Sequence, residues 1–230
     1  MNNLNNLINH TIKYIHQLKE EDMEHVIKSE YKDKIEQELG KLYEVVKNCK
    51  KCPLSNSRKN TVFGEGNQKA KLMFVGEGPG FDEDRLGRPF VGKAGKLLDD
   101  IITVPKALGL KRADVYIANI VKCHPMIDPS RPDKRGNDRK PSREEASACL
   151  PYLEKQIELI KPKVICALGS FSAVILTGLD MPIGKLRGKF YDYKGIKVIP
   201  TYHPAALLRN PGWKVDTWED IKKIKKELSL

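Results

Sequence analysis

Apolar residues gather in a few short runs along this chain. Lys71-Leu72-Met73-Phe74-Val75 stops at Gly76, Val115-Tyr116-Ile117-Ala118 stops at Asn119, and Lys163-Val164-Ile165-Cys166-Ala167-Leu168 stops at Gly169. Runs of this length, closed by Gly or Asn, read as buried strands. Phe190 to Pro200 reads as a hairpin about Lys194-Gly195, whose second arm is the last core strand. Between the runs the apolar spacing changes to three and four. Ala94, Leu97, Leu98, Ile101 and Ile102 predict a helix from Lys93 to Leu108 broken near Pro105. Ser142 with Glu145 has the form of a capping box opening a helix to about Ile160. Further helices are predicted from Phe171 to Leu176 and around Trp218, Ile221, Ile224 and Leu228. Upstream, Ile8, Ile12, Ile15 and Leu18 give a weak helical stripe, and Ile35, Leu39, Leu42, Val45 and Val46 a stronger one. Strands alternating with helices predict an α/β fold with a mainly parallel sheet covered on both faces. Residues 1–45 are expected to form a helical N-terminal extension to a domain over 46–230.

A chain of 230 residues, 40% hydrophobic and 31% charged, suffices for one well-cored domain with an appendage. No apolar run approaches the roughly 20 residues that cross a bilayer, which argues against a membrane partner. Met1-Asn2-Asn3-Leu4 lacks the charged start and apolar core of a signal peptide. A cytoplasmic or nucleoid-associated protein is the expectation. The net charge of +11 favours polyanionic partners through counterion release and long-range steering.

The stretch that looks chemical follows the first strand: Gly76-Glu77-Gly78-Pro79-Gly80, then Phe81-Asp82-Glu83-Asp84, then Gly87-Arg88-Pro89-Phe90-Val91-Gly92-Lys93-Ala94-Gly95. It reads as a loop whose glycines allow the backbone to approach a ligand closely, at the strand end where open α/β sheets bind. Two phosphate-binding readings fail on spacing. A dinucleotide fingerprint needs glycine where Phe81 stands, and the near P-loop at Gly87–Ala94 has no hydroxyl for magnesium and lies too far from the strand.

Of five cysteines, Cys166 falls inside an apolar run, whereas Cys49, Cys52, Cys123 and Cys149 fall in loops or near helix starts. Cys49-Lys50-Lys51-Cys52 is one C-x-x-C knuckle, and the other two stand alone. Structural zinc usually pairs two knuckles, while four scattered cysteines also suit an iron–sulfur cluster. Spacing alone leaves the two open.

Five segments in fixed order carry a resemblance: Gly76-Glu-Gly-Pro-Gly80, Gly87–Gly95, Asn119-Ile-Val-Lys-Cys123, Lys163–Gly169 and His203-Pro-Ala-Ala-Leu-Leu-Arg-Asn-Pro211. Over roughly residues 45–228 the chain resembles the family 4, or iron–sulfur, uracil-DNA glycosylases. The resemblance implies a three-layer sandwich with a central four-stranded, mainly parallel sheet. It also implies a 4Fe-4S cluster on Cys49, Cys52, Cys123 and Cys149, and release of uracil from DNA with an abasic site left behind. Glu77 would position or activate the attacking water, and His203 would donate to the uracil oxyanion. Phe90 would stack on the flipped base, Asn119 would read its N3–H and O4, and Gly78 would line the pocket. Glu83 would stand near the C5 edge, where thymine carries a methyl. Leu207, Leu208 and Arg209 would enter the minor groove. The expected partner is uracil-containing DNA, double- or single-stranded, with a sliding clamp as a further candidate, and the chain is expected to be a monomer.

Two features depart from the family pattern: the N-terminal extension, and a basic insert at about 126–141 that carries Arg131, Lys134, Arg135, Arg139 and Lys140. The insert belongs to a segment, Val121 to Arg143, that is expected to be a long surface loop throughout. It resembles in place and charge the loop of a covalent uracil-DNA binder, but Lys134–Lys140 contains no histidine. A non-catalytic cluster-bearing DNA-binding module is the other alternative; it would leave Glu77 and His203 unexplained.

Overall fold

The structure is a computed structural model that describes residues 34–230 together with His10, Lys13 and Gln17. The stripe at Ile8, Ile12, Ile15 and Leu18 lies outside the described residues. Met1–Lys41 and Leu42–Leu230 form two compact units. Residues 34–47 are helical (α1).

The apolar runs became strands because each could be buried along its whole length. Leu72–Gly76 (β2), Tyr116–Asn119 (β3) and Val164–Leu168 (β4) are buried at every position. That is the signature of a parallel sheet covered on both faces. With Ile196–Thr201 (β6) they pair in parallel in the order β3-β2-β4-β6. These four strands are the sheet that the family resemblance implies. Two short antiparallel edges extend it to six: Glu65–Gly66 (β1) beside β3, and Tyr191–Tyr193 (β5) beside β6. The hairpin turn falls at Lys194-Gly195, as the sequence predicts. The β1 edge has no sequence signal, since two residues are too few to show a period.

The helices follow their capping signals closely. Lys93–Thr103 (α3) ends at Val104, because Pro105 cannot continue it. Arg143–Ile160 (α4) opens on a complete capping box: the Glu145 N–H donates to Ser142 Oγ at 3.1 Å, and the Ser142 N–H to Glu145 Oε2 at 2.8 Å. Ser170–Thr177 (α5), Ile183–Leu186 (α6) and Pro204–Arg209 (α7) are shorter, and Lys214–Leu228 (α8) closes the chain.

Two expectations need correction. The glycine stretch is not all loop, since Phe81–Leu86 forms a helix (α2) with three acids in its first turn and a left-handed Gly87 as its stop. The segment from Val121 is not all surface either. Residues 121–126 are buried under the sheet end, and only the part beyond them is largely exposed.

The chain passes from β2 outward to β3 and then back over to β4 on the other side of β2. Loops leaving the carboxyl ends of β2 and β4 therefore diverge, and open the crevice in which such sheets bind ligands.

Candidate active site

A cleft of about 800 Å³ occupies that crevice, and the carboxyl end of every parallel strand contributes to its lining. Glu77 and Gly78 follow β2, Asn119 ends β3, Gly169 follows β4 and His203 follows β6. Residues separated by more than a hundred positions meet because all four strands run the same way. The cleft thus brings together Glu77, Gly78, Glu83, Phe90, Asn119, His203 and Arg209 of the predicted site.

Asn119 sits beside Gly76 in the sheet register. A Cβ on Gly76 would come within 2.4 Å of Asn119 Oδ1 and 2.7 Å of the Phe90 ring, so glycine there makes room for both. Asn119 Oδ1 is buried without a hydrogen-bond partner. An orphaned buried acceptor costs about 1–3 kcal/mol, which a ligand N–H would recover. The backbone carbonyl of the same residue is held by the buried Lys122 ammonium at 3.0 Å, and Lys122 is bonded in turn to Gln156 Oε1 at 2.7 Å.

Burial shifts the two candidate catalytic groups in opposite senses. It raises the Glu77 carboxyl above its ordinary value, against the opposing positive charge of Lys140. It lowers the His203 imidazole to about 4, with Arg209 acting in the same direction. His203 is therefore neutral near pH 7. Its Nδ1 accepts the Ala205 N–H at 3.1 Å, so the ring proton lies on Nε2, and the residue is at once the N-cap of α7 and a hydrogen-bond donor.

Phe90 is 6% exposed and joins the hydrophobic core. Its proline and glycine neighbours suggest a ring with no core to join, and tertiary packing overrides that suggestion. The residue takes a left-handed φ of 51°, uncommon for an aromatic. Its ring lies 5.5 Å from that of His203, tilted by 31°. Several contacts hold this conformation. Glu83 Oε1 accepts the N–H groups of Val91 and Gly92 at 2.9 and 3.0 Å. Arg112 donates to the Pro89 carbonyl at 2.7 Å and is itself paired with Glu65 of β1. Gly95 lies under the turn, where a Cβ would come within 1.9 Å of the Phe90 carbonyl oxygen. One Glu83 oxygen is thus engaged by the turn, and α2 is the rigid element that presents it.

The insert folds back as one wall of the cleft. Met126 and Asp138 form a bridge, and Arg139 is bidentate to Glu145 at 2.8 and 2.7 Å. Arg135 pairs with Asp82 at 2.8 Å, and Arg135 and Arg85 pack their guanidinium groups 4.5 and 4.6 Å from the Phe81 ring centroid. Lys59 and Arg85 share Asp133. Arg139 is thereby a fastening for the insert, while Lys140 makes no ion pair among the described residues and faces Glu77 electrostatically.

The two leucines of the predicted minor-groove loop part company. Leu207 is 1% exposed and packed inside, so it cannot enter a groove; Leu208 is 46% exposed. The helical turn of α7 puts adjacent residues on different faces, which their order in sequence does not reveal.

On the other side of the β3 end, Cys49, Cys52, Cys123 and Cys149 line one small cavity, whereas Cys166 is buried in β4. Cys123 Sγ accepts from Arg58 at 3.0 Å, Cys49 Sγ from the Tyr152 hydroxyl at 3.3 Å, and Cys149 Sγ from the Lys122 N–H at 3.3 Å. Such donors stabilise thiolate ligands. Burial raises the Cys52, Cys123 and Cys149 thiols above their ordinary value, Cys123 to about 12 in spite of Arg58. Among the described residues no three Cys, His, Asp or Glu converge on a point fit for one metal ion. Four cysteine sulfurs around one shared space are a donor set that fits a thiolate-bound metal centre.

Sequence reasoning missed Lys140 as the charge opposing Glu77, because nothing local marks it. It also missed Tyr202 and Trp213 on the cleft lining, though the position of Tyr202 beside His203 is a signal in retrospect. No helix among the described residues is long and apolar enough to cross a membrane.

The sequence model of the uracil DNA glycosylase superfamily matches residues 63–224. A "Type-4 uracil-DNA glycosylase" of Saccharolobus solfataricus is 46% identical over 199 residues, which cover 83% of this chain and 87% of that protein. Its namesake in Sulfurisphaera tokodaii is 47% identical over 200 residues, covering 84% and 85%. A third, from Thermotoga maritima, is 46% identical over 186 residues, covering 79% and 90%.

Proposed function

The chain belongs to the uracil DNA glycosylase superfamily, and on that premise we propose that it is a uracil-DNA glycosylase of the type-4 kind. It acts on deoxyuridine flipped out of DNA and hydrolyses the bond between uracil N1 and the sugar. Similarity to the type-4 enzymes over about four-fifths of the chain supports the activity. The observation that carries it at the level of chemistry is the unpartnered Asn119 Oδ1 facing the same cleft as Glu77 and His203. That oxygen accepts uracil N3–H, and the amide nitrogen donates to O4. Cytosine presents the opposite pattern at these two atoms and leaves both groups unpaired.

Extrusion of the nucleotide costs a few kcal/mol, which a close pocket recovers by stacking on Phe90. As the N1–C1′ bond breaks, its electron pair goes to uracil and positive charge grows on the sugar. The neutral His203 donates Nε2–H to uracil O2, where the negative charge collects. A neutral donor stabilises that charge without handing over its proton, and so matches a leaving uracil anion. Glu77, ionised, faces the cationic sugar and orients the water that attacks C1′. Leu208 and Arg209, both exposed beside the cleft, are the minor-groove contacts. Glu83 positions the turn that carries Phe90.

Cys49, Cys52, Cys123 and Cys149 would hold a 4Fe-4S cluster, whose contribution there would be structural, tying the segment after α1, the β3 loop and α4 to one another in a hydrolysis that needs no electron. The covalent alternative is not favoured. His124, beside the insert, is fully buried and bonded to Asp138 at 2.6 Å.

The test is incubation with a duplex bearing a single uracil, followed by alkali. Strand cleavage at the uracil is expected. Intact strand beside an active control enzyme, or a protein–DNA adduct stable to denaturation, would overturn the proposal.

A further inference from the structure

The outer end of the cleft carries a pile of three flat groups that the excision chemistry does not use. Tyr202 and Trp213 stack with ring centroids 4.6 Å apart and an angle of 14° between their planes. The Arg187 guanidinium also lies over the Tyr202 ring, 5.6 Å from its centroid. Arg187 is fixed in place: it is bidentate to the fully buried Asp220 at 3.0 and 2.8 Å and donates to the Asp216 carbonyl. Asp220 also accepts from Thr201 Oγ1 at 2.7 Å. The inner end of the pile is therefore anchored in the core, and the outer end is open. Trp213, with one face on Tyr202, is still 40% exposed.

The setting is that of a nucleic-acid contact. Trp213 and Tyr202 both line the cleft with Arg209, and Lys214 follows Trp213 in sequence. Leu208, five residues before Trp213, is on the same strand-to-helix connection. An exposed indole on a rigid support in a basic rim presents a π-face to any base. Because the pile is already ordered, adding a layer fixes few new side chains, which favours binding.

We propose that Trp213 is a stacking subsite for a nucleobase neighbouring the flipped deoxyuridine, the fourth layer on Arg187, Tyr202 and Trp213. The subsite rests on the reading of the cleft as a DNA site but is independent of uracil, since every base has a face to stack. It would let the enzyme hold unpaired DNA next to the lesion.

Trp213 and Trp218 are the only tryptophans, so a Trp218→Phe protein reports on Trp213 fluorescence alone. Titration with a uracil-free single-stranded oligonucleotide is expected to quench that emission, and heparin of matched charge is not. Trp213→Ala is expected to weaken binding of the oligonucleotide about 10-fold, and Trp213→Phe, which keeps a ring, less than 3-fold. Absence of quenching, quenching by heparin to the same extent, or equal affinities of Trp213→Ala and the parent protein would overturn the proposal. Should Trp213→Ala not fold, quenching and the Phe variant still decide. Uracil release is assayed on the parent protein in parallel. Its failure would remove the proposed activity and leave the stacking result standing, whereas a failure of quenching alone would remove only the subsite.

Discussion

Glu77 and His203 share one cleft, and the same burial pushes one toward its protonated form and the other toward its neutral base. For Glu77 the ionised form is the working one. Its raised pKa means the carboxylate is lost earlier as pH falls, so the acid limb of kcat/KM should lie above the ordinary carboxylate value. Lys140 opposes that shift; Lys140→Met should therefore move the limb to higher pH, and Glu77→Gln should flatten it while lowering kcat. A pH–rate profile of the three proteins checks both, and a limb unmoved in Lys140→Met would separate Lys140 from Glu77. His203, lowered to about 4, loses its neutral form only below that value and adds no limb near neutrality. His203→Ala should cost about 10²–10³ in kcat, the usual loss for one donor to a developing oxyanion. Binding of uracil-free DNA should change little; single-turnover rates beside binding isotherms would show whether the loss is confined to the chemical step.

At the scale of the element, the turn after α2 is the part most dependent on a single side chain. Glu83 bonds two consecutive backbone N–H groups beside a left-handed Phe90. Hydrogen bonds to a charged acceptor contribute about 1.5–3 kcal/mol each. Glu83→Ala should free the turn and raise KM for uracil-DNA at least about tenfold, while Glu83→Gln, which keeps an acceptor oxygen at the same reach, should fall between the two. Steady-state kinetics of the pair test this, and equal effects of Ala and Gln would show that charge rather than the clamp matters. The expectation that Glu83 guards against thymine is a separate property, read from excision of a G·T mismatch by the same variants.

For the molecule as a whole, the four cysteines join parts of the chain a hundred residues apart, so their effect is global. Purified protein should show the broad visible absorption of an iron–sulfur cluster. Cys149→Ser should lose it and lower Tm, whereas Cys166→Ala, altered in a different part of the core, should keep the colour. Visible spectra and thermal melts of both variants make the comparison. A colourless parent protein containing zinc would decide against the cluster.

What the sequence determined by itself is what depends on local pattern. Three of the parallel strands were legible as apolar runs long enough to be buried whole and the fourth as the second arm of a hairpin, α4 as a capping box, and the end of α3 as a proline. The strand ends that reach the cleft were legible too: Glu77 directly follows β2, Asn119 closes β3 and His203 stands two residues after β6. Only the tertiary structure decided what depends on facing. It put Leu207 inside and Leu208 outside, since one residue along a helix turns the side chain by about 100°. It made Phe90 part of the core, because Gly76 and Gly95 leave the space a ring needs. It set Lys140 against Glu77 and Arg139 against Glu145, because an insert without a hydrophobic period gives no sign of where it folds back. It also completed the pile of Arg187, Tyr202 and Trp213, which lie just after α6, just after β6 and just before α8 and meet only when the last helix packs on the sheet.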